Sequence, residues 1–148
     1  MNEPTIDVHL SADHAATALR DDVRTGLTAR PRWLPPKWFY DARGSELFEE
    51  ITALPEYYLT RAENEALRGA VGEIAQLTKA HTVVELGAGS SGKTRLLLDA
   101  MTACGSLRTF VPQDVSAAAL HETAATIARD YPGLSVHGVV SDFTRDLD

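Results

Sequence analysis

The spacing of apolar positions changes character near Ala80. Upstream, apolar residues recur every three or four positions, the period that lines one face of a helix. Leu19, Val23 and Leu27 predict an amphipathic helix over residues 12–29, with Ser11 as its cap. Pro31, Pro35 and Pro36 then impose a stiff, extended connection. Leu47, Ile51 and Leu54 predict a short helix over 45–54, which Pro55 ends. Thr60 and Glu63 match a capping box with Thr60 at the N-cap. The helix they open carries Leu67, Val71, Ile74 and Leu77 and runs to about Lys79.

Downstream, short apolar runs alternate with helical stretches. Strands are expected at Thr82–Leu86, near Thr109–Pro112 and around Ser135–Val140. A helix is expected from about Lys93 to Ala103. A second starts at a Ser116 cap, buries Leu120, Ala124 and Ile127, and stops at Tyr131-Pro132-Gly133. Alternation of this kind implies a parallel sheet. The expected class is α/β: a Rossmann-like sheet of about three parallel strands, preceded by a small helical domain. The expected division is a helical, substrate-proximal region at 1–80 and the first half of the Rossmann-like domain at 81–148. Three strands are too few for a finished doubly wound domain, so the chain is expected to stop mid-fold.

Composition narrows the partners. With 148 residues, 44% of them hydrophobic, the chain can bury a core. Its net charge of −7 argues against a nucleic-acid backbone as ligand, which would call for clustered Lys and Arg. No apolar run approaches the ~20 residues of a membrane helix, and no signal peptide is evident. One cysteine, Cys104, cannot form an intrachain disulfide and is expected to pack near a helix end. A cytoplasmic location fits. His14, His81, His121 and His137 show no metal-ligand spacing, so no metal is expected.

The stretch Val83-Val84-Glu85-Leu86-Gly87-Ala88-Gly89-Ser90-Ser91-Gly92-Lys93-Thr94 matches two motifs. Gly87, Gly89 and Gly92 fit G-x-G-x-x-G, whereas Gly87, Gly92, Lys93 and Thr94 fit the phosphate-binding G-x-x-x-x-G-K-T over 87–94. Both follow an apolar strand and precede a helix, where glycine lets a ligand approach the backbone. Three features favour an adenosine-type ligand. Glu85 precedes the glycines and would repel a triphosphate. Asp114 lies 22 positions after Gly92, close to the ~20-residue interval at which an acid meets ribose hydroxyls. Asp142 and Phe143 end the third strand, where an acceptor and a ring face suit adenine. The alternative is a P-loop domain binding ATP or GTP. Each also has a bland role open to it: Glu85 could be a helix-capping or solvated acid, Asp114 could merely cap the helix at Ser116, and Phe143 could be core. Between nicotinamide and sulfonium cofactors the residues favour the sulfonium, because a helical prelude precedes the loop.

The prelude holds Phe39-Tyr40-Asp41-Ala42-Arg43-Gly44-Ser45-Glu46-Leu47-Phe48-Glu49-Glu50-Ile51-Thr52, then Leu54-Pro55-Glu56-Tyr57-Tyr58. Read from the residues alone, its aromatics are mostly packing, Trp33, Trp38 and Phe39 among them. With the glycine loop, these stretches resemble the histidine-specific methyltransferase family, from about residue 12 to the end. That resemblance implies a class I methyltransferase fold and S-adenosylmethionine as cofactor. It implies methylation of the α-amino group of L-histidine to trimethylhistidine (hercynine), the first step of ergothioneine biosynthesis. It implies that Tyr40, Phe48 and Tyr57 contact substrate, and that Glu85, Gly87, Gly89, Lys93, Asp114, Asp142 and Phe143 hold the cofactor. No residue is singled out as an obligatory catalytic acid or base. The family's further strands and its substrate-binding insertion have no counterpart here, so the resemblance implies that a C-terminal half of the same protein is needed to complete the fold and that this chain alone is inactive.

Overall fold

The computed structural model describes residues 3–11, 13–39, 41–88 and 92–143. The chain forms two compact units, Ser11–Glu63 and a sheet unit made of Met1–Leu10 with Asn64–Asp148.

The sheet unit is built on four parallel strands: β1 (Thr5–Val8), β2 (Thr82–Leu86), β3 (Thr109–Asp114) and β4 (Ser135–Val140), in the order β1-β4-β3-β2. Helices α4 (Gly92–Ala103) and α5 (Ala117–Asp130) are the crossovers, and α3 (Leu59–Thr78) carries the chain in from the helical unit. The core forms on one sheet face, where Phe110 and Val136 meet Leu98 and Met101 of α4 and Ala124 and Ile127 of α5. Ala75 of α3 joins the same cluster. Period-two alternation puts Val83 on this face, whereas Val84 and Leu86 on the other face are exposed.

Two features of the sheet depart from expectation. The first is β1, which lies in a stretch where no strand was expected. Thr5, Ile6 and Val8 are β-branched and suit an extended chain, yet four residues are too few to declare a period. Their strand is made by β4, with Thr5 opposite His137 and Val8 opposite Val140. His137 ties the pair together, Nδ1 meeting Thr5 Oγ1 at 3.1 Å and Nε2 meeting Asp7 Oδ2 at 2.9 Å. Gly138 leaves room for this contact, since a Cβ there would come within 2.6 Å of Ile6 Cδ1.

The second is β3, expected to end at Pro112 but running on to Asp114. Proline removes one donor without forbidding the extended backbone. The consequence is local. β3 pairs with β4 at Thr109–Phe110 and again at Gln113–Asp114, but not at Val111–Pro112.

In the helical unit, α1 spans His14–Thr28 and α2 spans Ala42–Thr52, with a 3-10 turn at Pro36–Phe39. Asp13, not Ser11, stands at the N-cap of α1, and Ser11 instead accepts His14 N through its backbone carbonyl at 2.9 Å. α2 starts earlier than expected because Asp41 caps it, its Oδ1 accepting from Gly44 N at 2.7 Å. α3 likewise begins at Leu59, so Thr60 lies in its first turn and not at the cap. There Arg61 donates to the carbonyls of Leu54 and Pro55 at 2.9 and 2.6 Å, closing the turn before the helix. Trp38 is half-buried and donates Nε1 to Asp22 at 3.0 Å. Phe39 is 68% exposed and Trp33 is also exposed, so neither is a packed core residue.

No helix among the described residues is long and apolar enough to cross a membrane. Phe110 is fully buried at the centre of the core. Phe110→Ala is expected to cost about 3–5 kcal/mol, read from chemical denaturation of the full-length protein. A loss below about 1 kcal/mol would show that the core is not centred there.

Candidate functional site

Parallel strands deliver their C-terminal ends to one rim, the place where open α/β sheets bind ligands. The rim of the sheet unit carries Glu85 and Gly87 from β2, Asp114 from β3, and Asp142 and Phe143 after β4. Lys93 and Thr94 stand in the first turn of α4. Gly89, Ser90 and Ser91, in the middle of the loop, lie outside the described residues.

The described part of the loop is tied to β3. Gly87 adopts φ +78°, a left-handed conformation that glycine takes without a Cβ penalty. Its N–H and that of Ala88 both donate to the Gln113 carbonyl, at 2.9 and 3.0 Å. Ala88 is buried, and its own carbonyl accepts from Thr123 Oγ1 of α5 at 3.5 Å.

Glu85 is half-buried. Thr94, itself buried, donates its hydroxyl to Glu85 Oε1. Glu85 Oε2 is buried without a partner among the described residues. Burial pushes the Glu85 carboxyl above its ordinary range. The Thr94 hydrogen bond and then the Lys93 charge oppose that rise, and the Asp114 charge adds to it. A carboxylate left short of donors suits a ligand that brings hydroxyl or ammonium hydrogens. The same contact weighs against a P-loop, where this threonine hydroxyl would have to serve a magnesium ion.

Asp114 ends β3, and its Oδ1 accepts from Ser116 N at 2.9 Å, while Ser116 Oγ caps α5 by accepting from Ala119 N at 3.3 Å. The capping role open to Asp114 is therefore filled in part, and it orients the carboxylate at the rim. Ser141 N donates to the Asp114 carbonyl at 3.1 Å, which brings the end of β4 against the end of β3. Asp142 follows, only 7% exposed, with the exposed Phe143 next to it.

Gln113 and Ser141 were not among the expected site residues. Both are buried polar side chains, joined by Gln113 Nε2 donating to Ser141 Oγ at 2.5 Å and to Ser141 O at 3.3 Å. Gln113 Oε1 has no partner among the described residues, a deficit that typically costs about 1–3 kcal/mol. The available signal was a glutamine in an otherwise apolar strand, next to the acid.

In the helical unit, Phe48 and Tyr57 meet edge to face, with ring centroids 6.1 Å apart and planes at 81°. Tyr40 lies outside the described residues. No group of three or more potential metal ligands occurs among the described residues.

The raised Glu85 carboxyl has a consequence for stability. A carboxyl lifted above its unfolded value favours folding only while protonated, so its contribution is lost as pH rises through the folded value. Glu85→Gln keeps an oxygen for Thr94 and removes that charge. The variant is expected to melt higher than the parent near neutral pH, with the gain shrinking toward pH 4. A lower melting point at neutral pH would contradict this account.

A family model described as histidine-specific methyltransferase, SAM-dependent, matches residues 19–148. The chain is 55% identical over 139 residues to the histidine N-alpha-methyltransferase of Mycolicibacterium smegmatis, covering 94% of this chain and 43% of that protein. The protein of the same name from Mycobacterium tuberculosis matches with the same identity and coverage. Ergothioneine biosynthesis protein 1 of Neurospora crassa is 35% identical over 119 residues, covering 80% of this chain and 14% of that protein. The chain thus spans less than half the length of these curated relatives. With a match running through both the helical stretch and the rim of the sheet, the chain belongs to the family of histidine-specific methyltransferases that depend on S-adenosylmethionine.

Proposed function

We propose that this chain is the cofactor-binding part of an enzyme that methylates the α-amino group of L-histidine to trimethylhistidine (hercynine), the first step of ergothioneine biosynthesis. The observation that carries this reading is the 55% identity to two histidine N-alpha-methyltransferases over 94% of the chain. The rest of the same protein completes the sheet and supplies most contacts to histidine. A cytoplasmic location is consistent with the single cysteine.

S-adenosylmethionine would supply an activated methyl group on a sulfonium. The rim residues fit such a molecule. Glu85 Oε2, buried and short of a donor, can accept from an ammonium or hydroxyl. Lys93 in the first turn of α4 suits a carboxylate, aided by the helix N-terminus. Asp114 would take ribose hydroxyls, Asp142 the adenine amine, and Phe143 a ring face. Gly87, at φ +78°, lets the backbone approach closely, and Gly89 would serve the same end.

Transfer to nitrogen needs a neutral amine held in line with the methyl carbon, so positioning and desolvation carry most of the work. The substrate's α-amino group must therefore lose its proton before each transfer. Tyr40, Phe48 and Tyr57 would line the amine's surroundings. As methyl groups accumulate, a ring face can hold the growing cation, worth on the order of 1 kcal/mol when partly desolvated.

Calorimetric titration of the full-length protein with S-adenosylhomocysteine tests the cofactor assignment. Asp114→Ala is expected to weaken binding about 10–100-fold, the loss of a charged hydrogen-bond partner. Binding of magnesium-ATP in its place, with no response to the adenosyl ligand, would reinstate the P-loop reading. Phe48→Leu is expected to slow the second and third methyl transfers more than the first, followed by mass spectrometry of the products. Equal slowing of all three would remove the cation–π role.

A further inference from the structure

β3 and β4 must hold their ends at a fixed separation, because Asp114 stands on one and Asp142 follows the other. The ladder between them is interrupted one step earlier, at Val111–Pro112, where proline has no N–H to give. Beyond that break the strand ends are joined by backbone pairing at Gln113–Asp114, by Ser141 N donating to Asp114 O at 3.1 Å, and by a side chain. That side chain is Gln113. It is 4% exposed and sends Nε2 to Ser141 O at 3.3 Å and Ser141 Oγ at 2.5 Å. Its backbone carbonyl meanwhile receives the N–H groups of Gly87 and Ala88. One residue therefore touches the glycine loop and the Ser141 turn, and is the neighbour of Asp114.

The chemistry fixes which way the carboxamide points. A carbonyl can only accept, so the NH2 end must face Ser141 O. The oxygen end is then left buried and unpartnered among the described residues. Filling a hole could be done by an apolar side chain of the same volume without that deficit. What an apolar side chain lacks is the pair of donors that clasp the two strand ends.

We propose that Gln113 is a positioning residue for the cofactor site: its carboxamide clasps the end of β3 to the Ser141 turn across the break made by Pro112, and so sets Asp114, Asp142 and the glycine loop for a single adenosyl ligand. This rests on the cofactor assignment proposed above. Gln113 acts through these neighbours and does not itself touch the ligand.

The test uses full-length protein, calorimetry with S-adenosylhomocysteine and thermal unfolding without ligand. Binding by the parent protein comes first, and its absence would refute the cofactor assignment before any variant is read. Given that binding, Gln113→Met keeps volume and removes the donors. The expected result is affinity lowered about tenfold, the loss of one hydrogen bond's worth of preorganisation, with a melting temperature equal to or above that of the parent. Unchanged affinity, or lost affinity with a melting temperature lowered by more than about 5 °C, would overturn the clasp in favour of ordinary packing. Gln113→Glu decides the matter if the Met variant does not fold. A carboxyl can donate to Ser141 O only when protonated. Its affinity relative to the parent should therefore recover as pH is lowered from about 8 to about 5, and a flat ratio would overturn the proposal.

Discussion

The parallel register of β2, β3 and β4 is the constraint on which the rest depends. It sets Leu86 opposite Gln113 and Asp114 opposite Val140, so three chain reversals fall along one rim. Residues far apart in sequence, Glu85, Asp114 and Asp142, come to one rim only because of it. The register is held from below by Phe110 and Val136, which lock β3 and β4 onto α4 and α5. A slip of one residue would turn Phe110 out of the core and Asp114 away from its present face. Packing at the base of the strands and chemistry at their ends are thus one problem with one solution.

At the rim, local satisfaction gives way. Two buried acceptors, Glu85 Oε2 and Gln113 Oε1, lack partners among the described residues. They differ in kind. The glutamate oxygen belongs to a group whose charge is disfavoured by burial and which an incoming donor would relieve. The glutamine oxygen is the by-product of aiming the other end of the amide at a carbonyl. On the cofactor assignment and the clasp proposed above, one polar deficit is kept for a ligand and the other for geometry. Both run against the preference of buried polar groups for full pairing, as happens where binding and stability make opposed demands.

Long, strongly periodic segments were legible in the sequence. β2 and β4 fall where apolar runs placed them, and α5 begins at the Ser116 cap. What escaped had no local signature. β1 is a strand only because β4 offers it a partner and Gly138 leaves space for Ile6. The extension of β3 past Pro112 depends on unbroken pairing with β2 and on pairing with β4 that resumes at Gln113. At the site, acids at strand ends could be named from spacing, whereas the Gln113–Ser141 contact joins residues 28 positions apart and needs the register to bring them together. The start of α2 was legible in principle, since Asp41 and Gly44 have the spacing of a capping pair.

The glycine loop shows why a motif has to be settled by its surroundings. Gly87, Gly92, Lys93 and Thr94 satisfy a phosphate-loop pattern residue for residue. What separates the two chemistries is the strand residue two positions before the first glycine. With Glu85 there, the Thr94 hydroxyl turns inward to a carboxylate, and the first turn of the helix faces a negative group. A triphosphate would meet repulsion at its most charged end, and a metal would lose the hydroxyl it needs. A ligand carrying its own cation and hydroxyls meets the opposite field. The same backbone turn can therefore serve either class, and in the cofactor assignment proposed above one buried carboxylate, through its hold on one threonine, turns it toward the adenosyl sulfonium.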